Sequence, residues 1–243
     1  MDPAPLDPRL RILLRDPLLV ALDKPAGLLS VPGRGGPGDG EALSVLARAI
    51  DPSALPVHRL DRGTSGVIML ALGREAHRAL SKSFESRRTE KRYLALVRGD
   101  LEAATECSLP LLPTRRGGMR VAAADEEDAQ PSQTSFTPLE RFGGYTLVEA
   151  RPHTGRTHQI RVHLAALRHP LLVDERYGDA RPILAEDLCP GAGQAVVLER
   201  TALHAAALRL PRPLGRGWLS VEAPLPPDLA ACLELLRSAR RKA

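Results

Sequence analysis

Aromatic residues are scarce in this chain: three Phe, three Tyr and one Trp among 243 residues. So few rings cannot line a platform on which several bases stack, as RRM-like domains do. Cysteine is equally thin. Cys107, Cys189 and Cys232 are odd in number, far apart and outside any C-x-x-C pattern. That argues against a zinc site or a disulfide framework, and free thiols suit a reducing compartment. No apolar run reaches the length of a membrane span. The longest early run, Leu18 to Leu22, is too short for a signal peptide, and no basic stretch precedes it. A cytoplasmic, membrane-free protein is expected. Dinucleotide fingerprint, P-loop and metal-ligand spacing are all missing, so neither cofactor nor metal is expected.

What is present is ordinary in bulk, with 43% hydrophobic and 26% charged residues. A core of useful size is possible, and a single catalytic domain over 18–243 is expected. The formal net charge is +5, which favours a polyanionic partner. Many soluble proteins share such a surplus, however, and Arg-rich, Lys-poor composition suggests a GC-rich genome as one cause.

Residues 1–17 hold four prolines and read as an irregular arm with one short strand at Leu10–Leu14. Leu18–Leu22, Val67–Leu72 and Tyr93–Val97 read as strands. Residues 32–40 combine Pro and Gly and predict an irregular surface loop. Glu41–Ile50 and Glu75–Arg88 carry helical periodicity, the second through Ala76, Leu80 and Phe84. Residues 101–135 are weakly patterned, with a hairpin tip at Arg115-Arg116-Gly117-Gly118. Ser135–Leu139 and Tyr145–Ala150 form a strand pair around Gly143-Gly144. Ile160–Leu167 is a helix by Ile160, Leu164 and Leu167. Ala202–Leu210 and Val221 read as strand, and Asp228–Ala239 as a helix capped by Asp228. The order is not a regular β-α-β series. It predicts an α+β fold with a mixed, largely antiparallel central sheet flanked by helices and loops.

Three polar clusters could carry chemistry. The first, His58-Arg59-Leu60-Asp61-Arg62-Gly63-Thr64-Ser65-Gly66, runs into the apolar strand at Val67. It places Asp61 on a loop held by a rigid element. Alone, the segment reads more commonly as a surface Arg–Asp pair capping a strand. The second is Thr154-Gly155-Arg156-Thr157-His158-Gln159-Ile160-Arg161-Val162-His163. Gly155 and Thr157 can open a helix whose free N–H groups suit a phosphate. Arg161 borders the buried stripe and could reach a buried carboxylate such as Asp61; a solvated basic face is the other reading. His158 and His163 are five apart, which does not suit a metal. The third is Lys91-Arg92-Tyr93, a tyrosine entering a strand after two cations. It could stack on a base, or be a half-buried strand residue. The acidic run Asp125–Asp128 reads as a solvated loop.

In combination these segments resemble the RluA type of RNA pseudouridine synthases. Leu22-Asp23-Lys24-Pro25-Ala26-Gly27-Leu28-Leu29-Ser30-Val31-Pro32 looks like the first family motif. His58-Arg59-Leu60-Asp61 with Thr64-Ser65-Gly66 looks like the second, and Lys91 and Tyr93 fit the K-x-Y segment. Gly155-Arg156-Thr157-His158-Gln159-Ile160-Arg161 looks like the last, followed by His169-Pro170, Asp174, Tyr177-Gly178 and Leu203-His204-Ala205. The resemblance covers roughly residues 18–210. It implies the family fold with an RNA-binding cleft; as a departure from many relatives, no S4-like domain is expected before residue 18. Asp61 would be the catalytic aspartate, Arg161 would pair with it, and Tyr93 would pack on the target base. Arg59 would hold the flipped nucleotide or the space it leaves. Arg62, Thr64, Lys91, Arg156 and His158 would line the substrate, while Asp23, Lys24 and Pro25 would be structural. The chain departs at Leu208-Arg209-Leu210-Pro211, where relatives often have Phe-x-His-Pro.

Isomerising uridine to pseudouridine consumes nothing and needs no electron carrier, which fits the missing cofactor motifs. The base must leave the stack to be reached, and phosphates call for cations; Arg78, Lys82, Arg87 and Arg88 are candidates. The implied partner is a structured RNA, a ribosomal or transfer RNA stem-loop, met by a monomer. A glycoside hydrolase would need a second carboxylate near the clusters, and none stands out. A non-catalytic RNA-binding module would leave Asp61 without a purpose.

Overall fold

A computed structural model describes residues 7–33, 42–115, 117–123 and 125–242. In chain order the strands are β1 (Arg11–Asp16), β2 (Leu19–Lys24), β3 (Ala54–Pro56), β4 (Ser65–Leu72), β5 (Glu90–Arg98), β6 (Thr105–Cys107) and β7 (Leu111–Pro113). Then follow β8 (Met119–Val121), β9 (Thr134–Arg141), β10 (Tyr145–Pro152), β11 (Ile183–Leu184), β12 (Val196–Leu198), β13 (Leu203–Pro211) and β14 (Trp218–Glu222). The helices are α1 (Leu43–Leu46), α2 (Arg74–Glu85), α3 (Gln159–Ala166), α4 (Ala185–Leu188) and α5 (Pro227–Lys242). The fold is α+β, as its sequence predicts. The chain divides into two compact units, residues 1–91 with 205–224, and residues 92–204 with 225–243.

The first unit is built on the order β1-β2-β4-β13, with β3 on β4 and β14 on β13. The pairs β1–β2, β2–β4, β3–β4 and β13–β14 are antiparallel. Strand β4 is buried along its whole length, which explains its unbroken apolar run rather than an alternating one. The strand expected inside the proline-rich arm runs from Arg11 to Asp16 and pairs with β2. The α2 helix turns Ala76, Leu80 and Phe84 onto a core with Leu19, Val67, Met69 and Leu208. The Glu41–Ile50 helix is shorter than its periodicity suggests: one α turn, then a 3-10 turn at Ala47–Ala49. Of the Pro/Gly loop, 34–40 lie outside the described residues, as do Glu41 and Arg116.

The second unit carries β5-β10-β9-β6, all joined antiparallel, and two small hairpins, β7–β8 and β11–β12. Leu96, Leu147, Leu172, Leu229, Cys232 and Leu233 form one core cluster. Ala95, Phe136, Val148, Ile160 and Leu164 form another. Asp228 lies inside the first turn of α5 rather than before it. It accepts the Leu229 N–H at 2.7 Å and holds Arg200 at 2.7 and 2.9 Å. The run expected as a solvated acidic loop is tied at one point, since Glu126 pairs with Arg120. No helix among the described residues is long and apolar enough to cross a membrane.

Candidate active site

The Asp61 loop is held from beneath by a buried lysine. Lys24 ends β2 with no exposure to solvent. Its Nζ donates to the carbonyls of Pro25 at 2.8 Å, Leu28 at 2.7 Å and Arg62 at 3.2 Å. An ammonium has three protons to place, and three carbonyls receive them. The Arg62 carbonyl also takes the Gly27 N–H at 2.8 Å, and Arg62 Nε donates back to Gly27 O at 2.9 Å. Ser30 closes a second clamp. Its hydroxyl donates to Leu60 O and accepts Leu60 N–H, at 2.8 and 2.9 Å. The first motif therefore fixes the backbone on both sides of Asp61, as the structural reading of Lys24 anticipates. Lys24→Met should lower stability by about 2–3 kcal/mol, because the Pro25 and Leu28 carbonyls lose their donor in a buried place. An unchanged melting temperature would show that the clamp does not matter.

Asp61 itself is half-buried, and its carbonyl accepts the Thr64 N–H at 3.1 Å. Thr64 is 2% exposed and belongs to the turn. Gly66, the second residue of β4, has φ +109°. A Cβ there would lie 2.2 Å from the Ala205 carbonyl oxygen, so only glycine permits β13 to approach β4 at this point.

His58 stacks on Phe84, with ring centroids 4.7 Å apart. Its Nε2 accepts the Met69 N–H at 2.9 Å, which requires a neutral ring protonated on Nδ1. Burial, then the Lys91 charge, bring the His58 pKa down to about 3. Because the unfolded chain binds this proton more readily, the His58 contribution to stability is complete above pH 6.5 and fades as pH falls toward 3. Thermal unfolding of the protein should show that slope, and His58→Gln should lose one proton's worth of it. A His58 ring titrating near 6.5 by NMR would contradict the assignment. Burial and the Arg87 charge also bring Lys91 down to about 8, so it carries its charge at neutral pH.

In the second unit, α3 is buried on nearly every side, Arg161 included. Arg161 donates from Nε and Nη2 to both oxygens of Asp174, each at 2.8 Å. Its guanidinium also lies over the Tyr177 ring at 5.2 Å. The solvated-face reading of this helix is thereby excluded. Asp174 further accepts the N–H groups of Arg176 and Tyr177, each at 3.1 Å. Burial raises its pKa, but Arg161 and the two amides outweigh that and leave it below the ordinary carboxylate range. The Tyr177 hydroxyl accepts the Met119 N–H and meets His158 Nδ1, both at 2.9 Å.

The helix opens at Gln159, after His158 in a left-handed conformation, and later than Gly155 and Thr157 suggest. The expected anion site is altered by this, because the Arg156 N–H donates to Gln159 Oε1 at 3.0 Å. Gln159 Nε2 donates to Gln133 O and Thr134 Oγ1, both at 2.9 Å, and Arg156 Nε to Pro131 O at 3.2 Å. His163, also fully buried, bonds Thr134, Ser132 and Leu109; burial lowers its pKa. Tyr93 is half-buried, packed on the cluster of Ile160 and Leu164.

The expected site residues thus fall into two sets. Arg59, Asp61, Arg62, Thr64 and Lys91 belong to the first unit; Tyr93, Arg156, His158 and Arg161 belong to the second. Asp174 as a partner of Arg161, and Lys24 with Ser30 as the clamp, are additions that local pattern does not reveal.

Comparison with known proteins gives the family. Residues 18–166 match the family model described as RNA pseudouridylate synthase. The ribosomal large subunit pseudouridine synthase D of Nitrosomonas europaea is 39% identical over 236 residues, covering 94% of this chain and 66% of that one. The ribosomal large subunit pseudouridine synthase C of Escherichia coli strain K12 is 40% identical over 236 residues, covering 94% and 70%. The chain thus spans about two thirds of the length of these relatives. The solved structure of human RNA pseudouridylate synthase domain containing 4 superposes with TM-score 0.72 at 27% identity, over 93% of this chain and 92% of that one. That of domain containing 1 gives 0.72 at 28%, over 100% and 98%. The chain belongs to the RNA pseudouridylate synthase family, isomerases that act on RNA.

Proposed function

We propose that residues 18–243 act as one catalytic domain that converts uridines of structured RNA to pseudouridine, with Asp61 as the reacting carboxylate. The supporting observation is the double clamp of Lys24 and Ser30 on the backbone flanking Asp61. A buried lysine spent on loop carbonyls is costly, and it serves to hold one acidic residue still. In the reaction the bond from ribose carbon 1′ to uracil N1 breaks and the base turns. A bond from carbon 1′ to carbon 5 then forms, carbon 5 releases its proton and N1 gains one. Asp61 serves as nucleophile at carbon 1′ or as base toward the ribose.

Tyr93 packs against the turned base and assists proton transfer, and Arg59 holds the flipped nucleotide or its vacated space. Lys91 and His158 face the substrate. Arg62, Thr64 and Arg156 act through the loops they fix, and Arg161 serves the same reaction through the loop that Asp174 organises. The substrate class is ribosomal RNA first, as the names of the relatives suggest, and transfer RNA second, met by a cytoplasmic monomer in an RNA-binding cleft. Large-subunit ribosomal RNA transcribed without modification, incubated with the protein and mapped by carbodiimide primer extension, should gain stops at discrete uridines. Stops confined to transfer RNA would move the assignment; none in either would end it.

A further inference from the structure

The exposed face of α2 has a charge pattern that packing does not explain. Arg74, Arg78 and Lys82 are exposed and stand at i, i+4 and i+8, about 6 Å apart along the axis. With His77, Ser81 and Glu85 they line an open groove of about 610 Å³. Elsewhere arginines are commonly matched: Arg9, Arg98, Arg120, Arg181 and Arg212 each hold a carboxylate. Glu75 and Glu85 share the helix at spacings that permit pairing. Even so, among the described residues Arg74, Arg78 and Lys82 have no carboxylate at ion-pair distance. Like charges four residues apart weaken a helix, so the row has a cost in the free protein and a use only against a polyanion. The same helix touches the segment that leads to Asp61. Phe84 stacks on His58, three residues from Asp61, and His77 Nε2 lies 3.1 Å from the Pro56 carbonyl oxygen.

We propose that α2 is a rail for the sugar–phosphate backbone of the substrate RNA beside the target uridine. Arg74, Arg78 and Lys82 contact successive phosphates, and Ser81 adds a hydroxyl. This rests on the RNA-isomerase reading and assigns the helix to affinity rather than to chemistry or base choice, because phosphate contacts carry no sequence information.

The test is the triple variant Arg74→Gln/Arg78→Gln/Lys82→Gln, whose exposed positions leave the core untouched. RNA binding and turnover are measured against salt for variant and wild type. Each phosphate contact contributes about 0.7–0.9 to the log–log salt slope. The variant should therefore lose about 2–3 of slope. Its KM should rise about tenfold or more at low salt, while kcat at saturating RNA stays within about twofold. Slope and KM equal to wild type would overturn the rail while wild-type turnover left the function standing. If wild type turned over no RNA, the function would fail, and the binding slopes alone would still decide the rail. Loss of turnover on ribosomal particles with naked RNA unaffected would overturn it in favour of an acidic protein partner.

Discussion

Asp61→Asn will leave the protein folded and bound to RNA while kcat falls by about 10⁴-fold or more, about 5.5 kcal/mol of transition-state stabilisation. The substitution keeps the volume of the residue but turns one carboxylate oxygen into an NH2 donor and removes the charge that attacks or deprotonates the ribose. The loop should survive, because its conformation is set by groups other than the Asp61 carboxylate. The Leu60 amide and carbonyl are bound by Ser30, the Arg62 carbonyl by Lys24, and the Asp61 carbonyl by the Thr64 N–H. Single-turnover rates and RNA mobility shifts on the same preparation separate the two properties. Turnover within about tenfold of wild type would remove Asp61 from the chemistry. Lost binding with an altered melting temperature would make it a structural residue.

Arg161→Ala should destabilise the protein by about 3–5 kcal/mol, because it strands a buried carboxylate whose two strongest bonds came from that guanidinium. Arg161 and Asp174 side chains are 8% and 1% exposed, so water cannot take over the lost contacts. In a protein of this size the melting temperature should fall by about 10 °C or more. Asp174→Asn keeps the shape of the acceptor and should cost less. The pH dependence has a definite sign. The folded Asp174 pKa lies below its ordinary value, so its contribution is present above the ordinary carboxylate range and is lost as pH falls through the folded value. The destabilisation by Arg161→Ala should accordingly shrink in acid. Turnover should fall too when measured well below the lowered melting temperature, since the 174–178 loop loses its organiser. A variant with unchanged melting temperature and full activity would contradict both roles.

The strands and helices that the sequence reveals are those whose partners share one simple demand. Strand β4 needs only an apolar environment on both faces, and Val67–Leu72 says so directly. Helix α2 needs one apolar stripe, and Ala76, Leu80 and Phe84 supply it. Where burial is achieved by hydrogen bonding between distant residues, local pattern misleads. Lys24 stands where the apolar run of β2 stops, yet it is fully buried, and Arg62, 38 residues on, brings a carbonyl to it. Gln159, Arg161 and His163 read as a polar helix face. They are buried because Thr134, Asp174 and Ser132 satisfy them. Residues 101–135 hide β6, β7 and β8 because strands of three residues are too short to express alternation. The site motifs are legible for the opposite reason: the close approach of Ala205 to Gly66 and the left-handed backbone at His158 before α3 restrict which residues can stand there.

The most direct test of the account is tritium release. Ribosomal and transfer RNA labelled at uracil carbon 5 are incubated with wild-type protein and with Asp61→Ala, and tritium entering water is counted. The account predicts release by wild type, concentrated in the ribosomal fraction, and none by the variant. No release by wild type while it binds the RNA, or equal release by both proteins, would contradict it.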